Sequence, residues 1–413
     1  MAGEEPATRP AAGPRQLLRA VFGATFFVRF GFGLTISIFA SYILGKSSGI
    51  DASGVGVVGL ISAMAPVGEF TTVLFSGTAA DRYGRFPVLL TGMVAAGLLL
   101  GVVSLTRDPV ALGAMNLLFG VSSGAILAAS LAVVADQAEP EETGYEMGRF
   151  DAVNLLGWIG GFAVGFGLLG TIANSDLAWV FRAGALLLAG GVVLTSFEIR
   201  GHKEPPLRSQ FDLRAIVEAM RRRGVLLVTL PWFVIYMLLG VGFAFLGTAS
   251  SSIGVSPILL SAAIGGGGLL LLATQPYFGR LADRFGRMRL MAIGTVGFVS
   301  VLVCAGLLQS FGPRPELLAA TGVSALVGLG YGPAALAALA DLSLLFSRAT
   351  TMAVYTLTIS LGMFVGLGVS TGLYSEFGAY GLDAFFAGVG AALVALTALR
   401  YRAVRRDPVT FGS

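Results

Sequence analysis

The sequence has almost none of the side chains on which metal enzymes and disulfide-bonded proteins depend. Its 413 residues include a single histidine, His202, and a single cysteine, Cys304. One histidine in a polar stretch excludes a histidine metal cluster, a histidine proton relay and a Ser-His-Asp triad. One cysteine excludes an internal disulfide, and its place in an apolar run predicts an inert, buried thiol. We therefore expect no metal, no cofactor and no enzyme activity, and any proton chemistry must use carboxylates.

Charged residues are also scarce. They make up 12% of the chain, against roughly 25% in soluble globular proteins. The chain is 55% hydrophobic and has a mean hydropathy of +0.83. Its net charge of +4 comes from Lys and Arg residues concentrated between the apolar runs, which indicates a membrane surface and not nucleic acid. The composition predicts an integral membrane protein that contacts the lipid bilayer.

Twelve apolar runs are long enough to cross a bilayer, taking about 20 residues for one crossing. The first six spans cover approximately residues 18–43, 54–76, 86–105, 110–134, 149–172 and 178–197. The second six cover approximately residues 225–248, 256–278, 288–309, 317–340, 351–373 and 381–401. The predicted fold class is an all-α integral membrane protein, with twelve transmembrane helices in two six-helix pseudo-symmetric halves.

The loops between the spans indicate the topology. We expect a disordered cytosolic tail (1–16), an N-terminal half (17–197), a linker with an amphipathic helix (198–224), a C-terminal half (225–402) and a second cytosolic tail (403–413). Of the 27 Lys and Arg residues, 22 lie on the side of both termini and three on the other. Because Lys and Arg resist translocation, both termini are predicted to be cytosolic, in the plasma (inner) membrane of the cell.

A nine-residue motif follows the second span of each half. It has the pattern Gly-x-x-x-Asp-Arg-aromatic-Gly-Arg, and its two copies are 202 residues apart. The residues that define it are Gly77, Asp81, Arg82, Gly84 and Arg85 in the first copy, and Gly279, Asp283, Arg284, Gly286 and Arg287 in the second. The glycines are expected to allow close approach and turning of the backbone. A second set repeats at an offset of 205: Met147, Gly157 and Gly161 match Met352, Gly362 and Gly366.

Over essentially its whole length, the chain resembles a major facilitator superfamily transporter. The resemblance rests on the twelve spans, the two halves, the long linker and the repeated motif. It implies a secondary active transporter that moves a small-molecule substrate by alternating access and works as a monomer. Membrane-embedded enzymes and receptors are a remote alternative.

A narrower resemblance is to the proton-linked drug exporters of that superfamily. It rests on Phe-Phe-Val-Arg29-Phe-Gly-Phe-Gly in span 1 and Trp179-Val-Phe-Arg182 in span 6. Where those exporters usually carry an arginine in span 4, this chain has Asn116. The resemblance implies proton-coupled export of an amphipathic or drug-like compound. The alternative is proton-coupled or facilitated uptake of a small metabolite or organic anion, with Arg29 as the anion contact.

The motif is predicted to act as a latch between the halves. Asp81 is a carboxylate that can cap a helix N-terminus of the other half, where an anion gains roughly 0.3 to 1 kcal/mol. The family resemblance implies that this helix is span 11, which begins near Thr351. Asp136, at the cytosolic end of span 4, is expected to pair with Arg85 or Arg82. The alternative is that these charges only end the spans and set the topology.

Two ionisable residues lie inside the membrane at nearly equal predicted depth. Arg29 is about 16 Å from the cytosolic end of span 1, and Glu69 is about 12 Å from the motif. Because an isolated charge at mid-bilayer costs at least ~2.5 kcal/mol, such groups normally pair. The Arg29–Glu69 pair is expected either to hold spans 1 and 2 together or to exchange a proton at Glu69. The second half has Leu271 at the position of Glu69, and this asymmetry favours a coupling site.

Other polar and aromatic residues within the spans are candidates for lining a central cavity, whereas spans 3, 6, 9 and 12 are expected to face lipid. Asp151, near the end of span 5, is expected to be a solvated interfacial carboxylate, with a second proton site as the alternative. The remaining candidates are the amides Asn116, Asn154 and Gln275 and the aromatic residues Trp158, Trp232, Tyr236, Tyr277, Tyr331 and Tyr355. The aromatic set suits an apolar or amphipathic substrate, although core packing explains any one of them equally well.

Overall fold

The computed structural model describes residues 13–44, 52–137, 143–173, 176–200, 202, 217–218, 220–221, 223–252, 256–312, 314–342 and 348–406. Within these ranges the regular structure is helical and no strand occurs. The N-terminal half contains α1 (Pro14–Leu44), α2 (Ala52–Tyr83), α3 (Arg85–Val103), α4 (Pro109–Gln137), α5 (Thr143–Thr171) and α6 (Leu177–Glu198).

The C-terminal half contains α7 (Arg223–Ser252), α8 (Pro257–Phe285), α9 (Arg287–Phe311), α10 (Pro315–Leu329), α11 (Tyr331–Leu342), α12 (Arg348–Phe377) and α13 (Ala379–Arg406). The helices α10 and α11 form one crossing that is interrupted at Gly330. Among the described residues, ten stretches are long and apolar enough to cross a membrane, and α7 and α8 each contain a shorter apolar stretch. The fold is thus twelve transmembrane helices in two six-helix halves, as predicted.

The helices extend beyond the apolar runs at the membrane face where α1 begins and α13 ends, which we call the terminal face. The predicted tails and linker fall mainly on residues 1–12, 203–216 and 407–413, outside the described residues. At the described edges, α1 already begins at Pro14 and α13 continues to Arg406. Parts of both predicted tails are therefore helical.

The helices that were expected to face lipid all have low buried shares, although α5, expected to face the cavity, has the same 39% as α3. Only 17% of the apolar window of α13 is buried, against 72% for α1. In α3, α6 and α9 the buried share is 33–39%, and large apolar side chains such as Leu98 and Leu186 point outward. Since the surface of these helices is apolar, lipid is the solvent that it fits.

Glycines show that the two halves repeat the same packing. A Cβ at Gly157 would lie 2.8 Å from the carbonyl oxygen of Phe26 and 2.8 Å from the Arg29 Cβ. A Cβ at Gly362 would lie 2.6 Å from the carbonyl oxygen of Phe233 and 2.9 Å from the Tyr236 Cβ. The first helix of each half is thus crossed in the same way by the fifth. In the pseudo-symmetric fold, Tyr236 occupies the place of Arg29.

Candidate functional site

Arg29 is at the centre of a buried polar cluster in the N-terminal half. It lies midway along α1 and is 4% exposed. Its Nη2 donates to Glu69 Oε1 at 2.8 Å, its Nε to Asn154 Oδ1 at 2.8 Å, and its Nη1 to Ser123 Oγ at 3.2 Å. The guanidinium carbon also lies 5.6 Å from the ring centroid of Trp158. The predicted Arg29–Glu69 contact is present, and we call these five residues the Arg29 cluster.

The Arg29 cluster joins four helices through one cation. Glu69 is on α2, Ser123 on α4, and Asn154 and Trp158 on α5, while Arg29 itself is on α1. All three guanidinium nitrogens have a hydrogen-bond partner, and the charge is balanced by a carboxylate that is 2% exposed. Such a pair is stable only while both charges remain, because removing one leaves the other buried and uncompensated.

Asp151 connects the Arg29 cluster to the other half of the molecule. It lies three residues before Asn154 on α5, so both side chains share one helix face. The hydroxyl of Tyr355, on α12, donates to Asp151 Oδ1 at 3.3 Å. The expectation of a solvated carboxylate is wrong, because Asp151 is only 8% exposed. The Tyr355 side chain of α12 thus contacts a carboxylate that the sequence places near a helix end.

The aromatic residues of the C-terminal half form a second cluster around Trp232. The Trp232 ring lies 5.0 Å from Tyr355, 6.2 Å from Tyr331 and 6.3 Å from Tyr236, measured between centroids. The predicted aromatic set is therefore largely brought together on this side. Tyr277 is an exception, since it is 69% exposed, and its predicted place in the cavity is wrong.

Two predicted site residues lie outside both clusters. Asn116 is buried in α4, and its Nδ2 donates to the carbonyl oxygen of Ile61 on α2 at 2.7 Å. This contact ties two helices that pack closely, because a Cβ at Gly120 would collide with the Ala65 carbonyl oxygen. Gln275 is buried in α8, and it is not one of the hydrogen-bond partners of Arg29.

The two halves touch on both sides of the Arg29 level. On the terminal face, Val73 of α2 packs with Val354 and Leu357 of α12, next to the Asp151–Tyr355 contact. On the opposite face, the Ser261 hydroxyl of α8 donates to the Ala163 carbonyl of α5 at 2.6 Å. The halves are therefore in contact on both sides of the level of Arg29.

The duplicated motif forms the turn between the second and third helices of each half, and most of it is helical. In the first copy, α2 continues to Tyr83 and only Gly84 leaves the helix, with φ of +92° and ψ of 150°. The equivalent Gly286 has φ of +89° and ψ of 133°. L-residues rarely adopt this conformation, which explains the second glycine of the motif. Of the two glycines expected to allow close approach and turning, Gly84 makes the turn, whereas Gly77 lies inside α2.

The arginine after each turn holds the fourth helix of its own half. Arg85 forms the predicted ion pair with Asp136, and its Nη1 also donates to the Ala132 carbonyl at 3.1 Å. Arg287 makes the equivalent bond to the Ala337 carbonyl at 2.6 Å. Because these contacts stay within one half, they do not latch the halves together.

The other charged residues of the motif leave the latch untested. Arg82 is exposed, with its guanidinium carbon 5.5 Å from the ring centroid of Tyr83, and Arg284 is exposed as well. The side chains of Asp81 and Asp283 lie outside the described part of the structure, so the helix cap by Asp81 stays a prediction.

Sequence reasoning missed Ser123 as a partner of Arg29 and Val73 as part of the contact between the halves. Ser123 lies in a run of small residues, which predicts packing only. Val73 is one of many apolar residues in a span, and no local sequence pattern distinguishes a residue that contacts the other half from one that faces lipid. The contact of Val73 with the other half can be recognised only from the three-dimensional structure.

Comparisons with known proteins agree with this architecture. The family model described as Major Facilitator Superfamily matches residues 21–252 and again residues 233–412. The structure of the human organic anion transporter MFSD10 (TETRAN) superposes with a TM-score of 0.70 at 17% identity, covering 96% of this chain and 100% of the other. That of the nucleoside transporter NupG gives 0.66 at 16% identity, with coverages of 94% and 99%.

Two curated relatives are similar in sequence. The multi-drug resistance efflux pump PmrA homolog of Lactococcus lactis subsp. lactis (strain IL1403) is 26% identical over 282 residues, which are 66% of this chain and 67% of that protein. The triacylglyceride transporter of Mycobacteroides abscessus is 27% identical over 192 residues, or 44% of this chain and 37% of its own length. With the family model matching both halves, the chain belongs to the Major Facilitator Superfamily and is an integral, multi-pass membrane transporter.

Proposed function

We propose that the protein is a secondary active transporter that exports an amphipathic or drug-like compound in exchange for protons, by alternating access. Its partners are then the small-molecule substrate, protons and the surrounding lipid. The excess of Lys and Arg on the terminal face supports a plasma (inner) membrane location with both termini in the cytosol. The name of the Lactococcus relative supports export.

The observation that carries the proposal is the buried Arg29–Glu69 pair. Glu69 is the only partner of Arg29 in the cluster that can become neutral, since Asn154 and Ser123 do not titrate and an arginine does not lose its proton. Protonation of Glu69 therefore leaves Arg29 as an uncompensated buried charge, at a cost of about 3–5 kcal/mol. A cost of that size is sufficient to shift the equilibrium between two conformations.

Asp151 connects the Arg29 cluster to the other half of the molecule. Because Asp151 and Asn154 share a face of α5, a change in the Arg29 cluster reaches the contact with Tyr355 through one rigid helix. Asp151 is also a buried carboxylate beside the Trp232 cluster, so a substrate with an amine and an apolar body finds a counter-ion and aromatic faces there. We assign proton exchange to Glu69 and substrate contact to Asp151 and the Trp232 cluster, whose Asp151–Tyr355 bond must open to admit a substrate.

A transport assay with an imposed pH gradient tests the proposal. The purified full-length protein is reconstituted in liposomes, and accumulation of lipophilic cations such as tetraphenylphosphonium and ethidium is compared with that of organic anions. We expect a lipophilic cation to move against its gradient in exchange for protons. If the accumulation of every tested compound is the same with and without the pH gradient, proton coupling is contradicted.

Uptake of an organic anion through Arg29 is the second candidate, and the geometry disfavours it. All three nitrogens of Arg29 are already bonded, so an anion must displace Glu69 or a neutral partner before it can bind. In the same assay, anion uptake that is abolished by Arg29→Ala would favour this second candidate.

A further inference from the structure

Arg400 is a buried arginine that the proposed transport cycle does not use. It lies on α13, six residues before the end of the helix at the terminal face. The positive-inside pattern predicts a solvated cation there, yet the residue is only 2% exposed. Arg402, two residues further along the same helix, is exposed as expected. The side chain of Arg400 is thus turned into the protein, and its head does not reach solvent.

Among the residues that the structure describes, no carboxylate balances the charge of Arg400. Its guanidinium carbon lies 5.9 Å from the ring centroid of Tyr331 on α11. The Tyr331 hydroxyl donates its one proton to the carbonyl oxygen of Val228 on α7, at 3.1 Å. Within the described part of the chain, the Nη1 and Nη2 atoms of Arg400 have no hydrogen-bond partner. Even a bond to the Tyr331 oxygen would leave the cation without a counter-charge, because a hydroxyl is neutral.

The contrast with Arg29 shows what is missing. Both arginines are buried to a similar extent, but Arg29 has a carboxylate and two neutral acceptors on its three nitrogens. A buried charge without a partner is strongly destabilising, and an arginine cannot relieve this by losing its proton. The planar fork of the Nη atoms is suited to two oxygens of one oxyanion. An anion that binds both nitrogens would complete the site in the way that Glu69 completes the first.

We propose that Arg400 anchors a phosphate-binding site between α7, α11 and α13, close to the terminal face. The phosphate comes either from an anionic lipid headgroup or from free phosphate, since both sources present the same pair of oxygens. The exposed Tyr401 and Arg402 beside it lie at the level where lipid headgroups meet the protein. This site is separate from the Arg29 cluster, and it does not depend on which compound is transported.

Thermal unfolding of the purified full-length protein tests the site with two probes. The first is inorganic phosphate, titrated against chloride at constant ionic strength in a neutral detergent. The second is phosphatidylglycerol in nanodiscs, compared with zwitterionic phosphatidylcholine. We expect one probe to raise the unfolding temperature of the wild type by about 2 °C or more at saturation. A response to phosphate identifies a soluble source, and a response to phosphatidylglycerol alone identifies the lipid.

Three variants decide whether the response belongs to Arg400. In Arg400→Gln the probe should bind at least tenfold more weakly. The matched control is Arg15→Gln, because Arg15 is an exposed arginine at the terminal face of the other half, and this variant should respond as the wild type does. If Arg400→Gln does not fold, Arg400→Lys replaces it, and its single ammonium should also weaken binding. The proposal is overturned if neither probe stabilises the wild type, or if the substituted Arg400 variants respond to the same extent.

Discussion

The centres of the two halves differ, although their backbones repeat. In the N-terminal half, the helix crossing at Gly157 places Arg29 against Asn154, Ser123 and Glu69. In the C-terminal half, the equivalent crossing at Gly362 places Tyr236 in the cluster of Trp232. One half thus contains a buried charge pair, to which we assign the response to protons, and the other contains a cluster of aromatic rings. The difference shows that two halves with the same helix packing have different side chains at matched positions, a cation in one and a tyrosine in the other.

The terminal-face turns show the opposite behaviour, because there the halves remain alike. Gly84 and Gly286 have nearly the same φ, and Arg85 and Arg287 bind carbonyls of Ala132 and Ala337. A turn of the same geometry therefore connects the second and third helices of each half. The predictions below compare matched positions in this way.

The largest effect is expected at Glu69. Glu69→Gln removes the titrating group and leaves Arg29 with a neutral partner, so active transport should fall by about 100-fold or more. Efflux of a lipophilic cation from energised cells, normalised to the amount of protein in the membrane, measures this loss. The matched control is Glu146→Gln. Glu146, on α5, is likewise a buried glutamate, and it pairs with Arg149 at 2.8 Å. Efflux near the wild-type rate in Glu69→Gln would refute the coupling role that is assigned to the N-terminal half.

A smaller effect is expected where the halves meet. Tyr355→Phe removes the bond to Asp151, and a hydrogen bond to a charged group contributes about 1.5–3 kcal/mol. Because the distance of 3.3 Å is long, we expect a tenfold shift at most toward opening at the terminal face. A cysteine reporter at Val73, in a Cys304→Ser background, should react faster with a membrane-impermeant thiol reagent.

Asp151→Asn should accelerate labelling at Val73 to a similar degree, and the double variant should add little to either single one. Additive effects of the two substitutions would show that Asp151 and Tyr355 act separately, and not through their contact.

Replacing the turn glycines should destabilise both halves about equally. In Gly84→Ala and in Gly286→Ala a side chain is forced into a conformation that costs about 1–3 kcal/mol. Unfolding of the purified protein, followed by tryptophan fluorescence, should begin a few degrees lower for each. Gly279→Ala is the control, since Gly279 is helical with open space around it, and alanine there should be neutral or stabilising. A loss confined to one half would break the equivalence of the turns.

The smallest effect is expected at Tyr236, the counterpart of Arg29. Tyr236→Phe keeps the ring beside Trp232, so the transport rate should change by less than about twofold. Arg29→Lys is the companion variant, and it should cost more because a lysine cannot hold three partners in the geometry of a guanidinium. The two rates, measured in the same efflux assay, compare the halves directly. Equal losses would remove the distinction between them.

The sequence was sufficient for the fold and for the contacts that isolated charges make. Arg29 and Glu69 are rare in otherwise apolar spans, and the depth of each can be counted from the helix rise, so their pairing was predictable. Asp136 and Arg85 were predictable in the same way, as neighbours at one membrane face. A repeat of nine residues at an offset of 202 was enough to divide the chain into halves.

The remaining contacts depend on how each helix is rotated. Asp151 and Arg400 lie near helix ends, where the sequence looks the same whether a side chain points to water or into the protein. The structure buries both, Asp151 against α12 and Arg400 against Tyr331. Gly77 is a residue type common in turns, but it lies inside α2. The chain turns at a single residue, Gly84, so no second glycine is needed for the turn.

The measurement that tests the central claim most directly is proton release from the purified protein when substrate binds. A compound identified in the liposome assay is added to the protein in weakly buffered detergent, and a pH-sensitive dye reports the protons. The experiment starts in acidic solution, from protein that carries the proton on Glu69, and substrate is proposed to favour the form in which Glu69 is ionised and paired with Arg29. The account therefore predicts proton release from the wild type and from Glu146→Gln, and none from Glu69→Gln. Equal release from Glu69→Gln would show that the proton is held elsewhere and would contradict the role assigned to the Arg29–Glu69 pair.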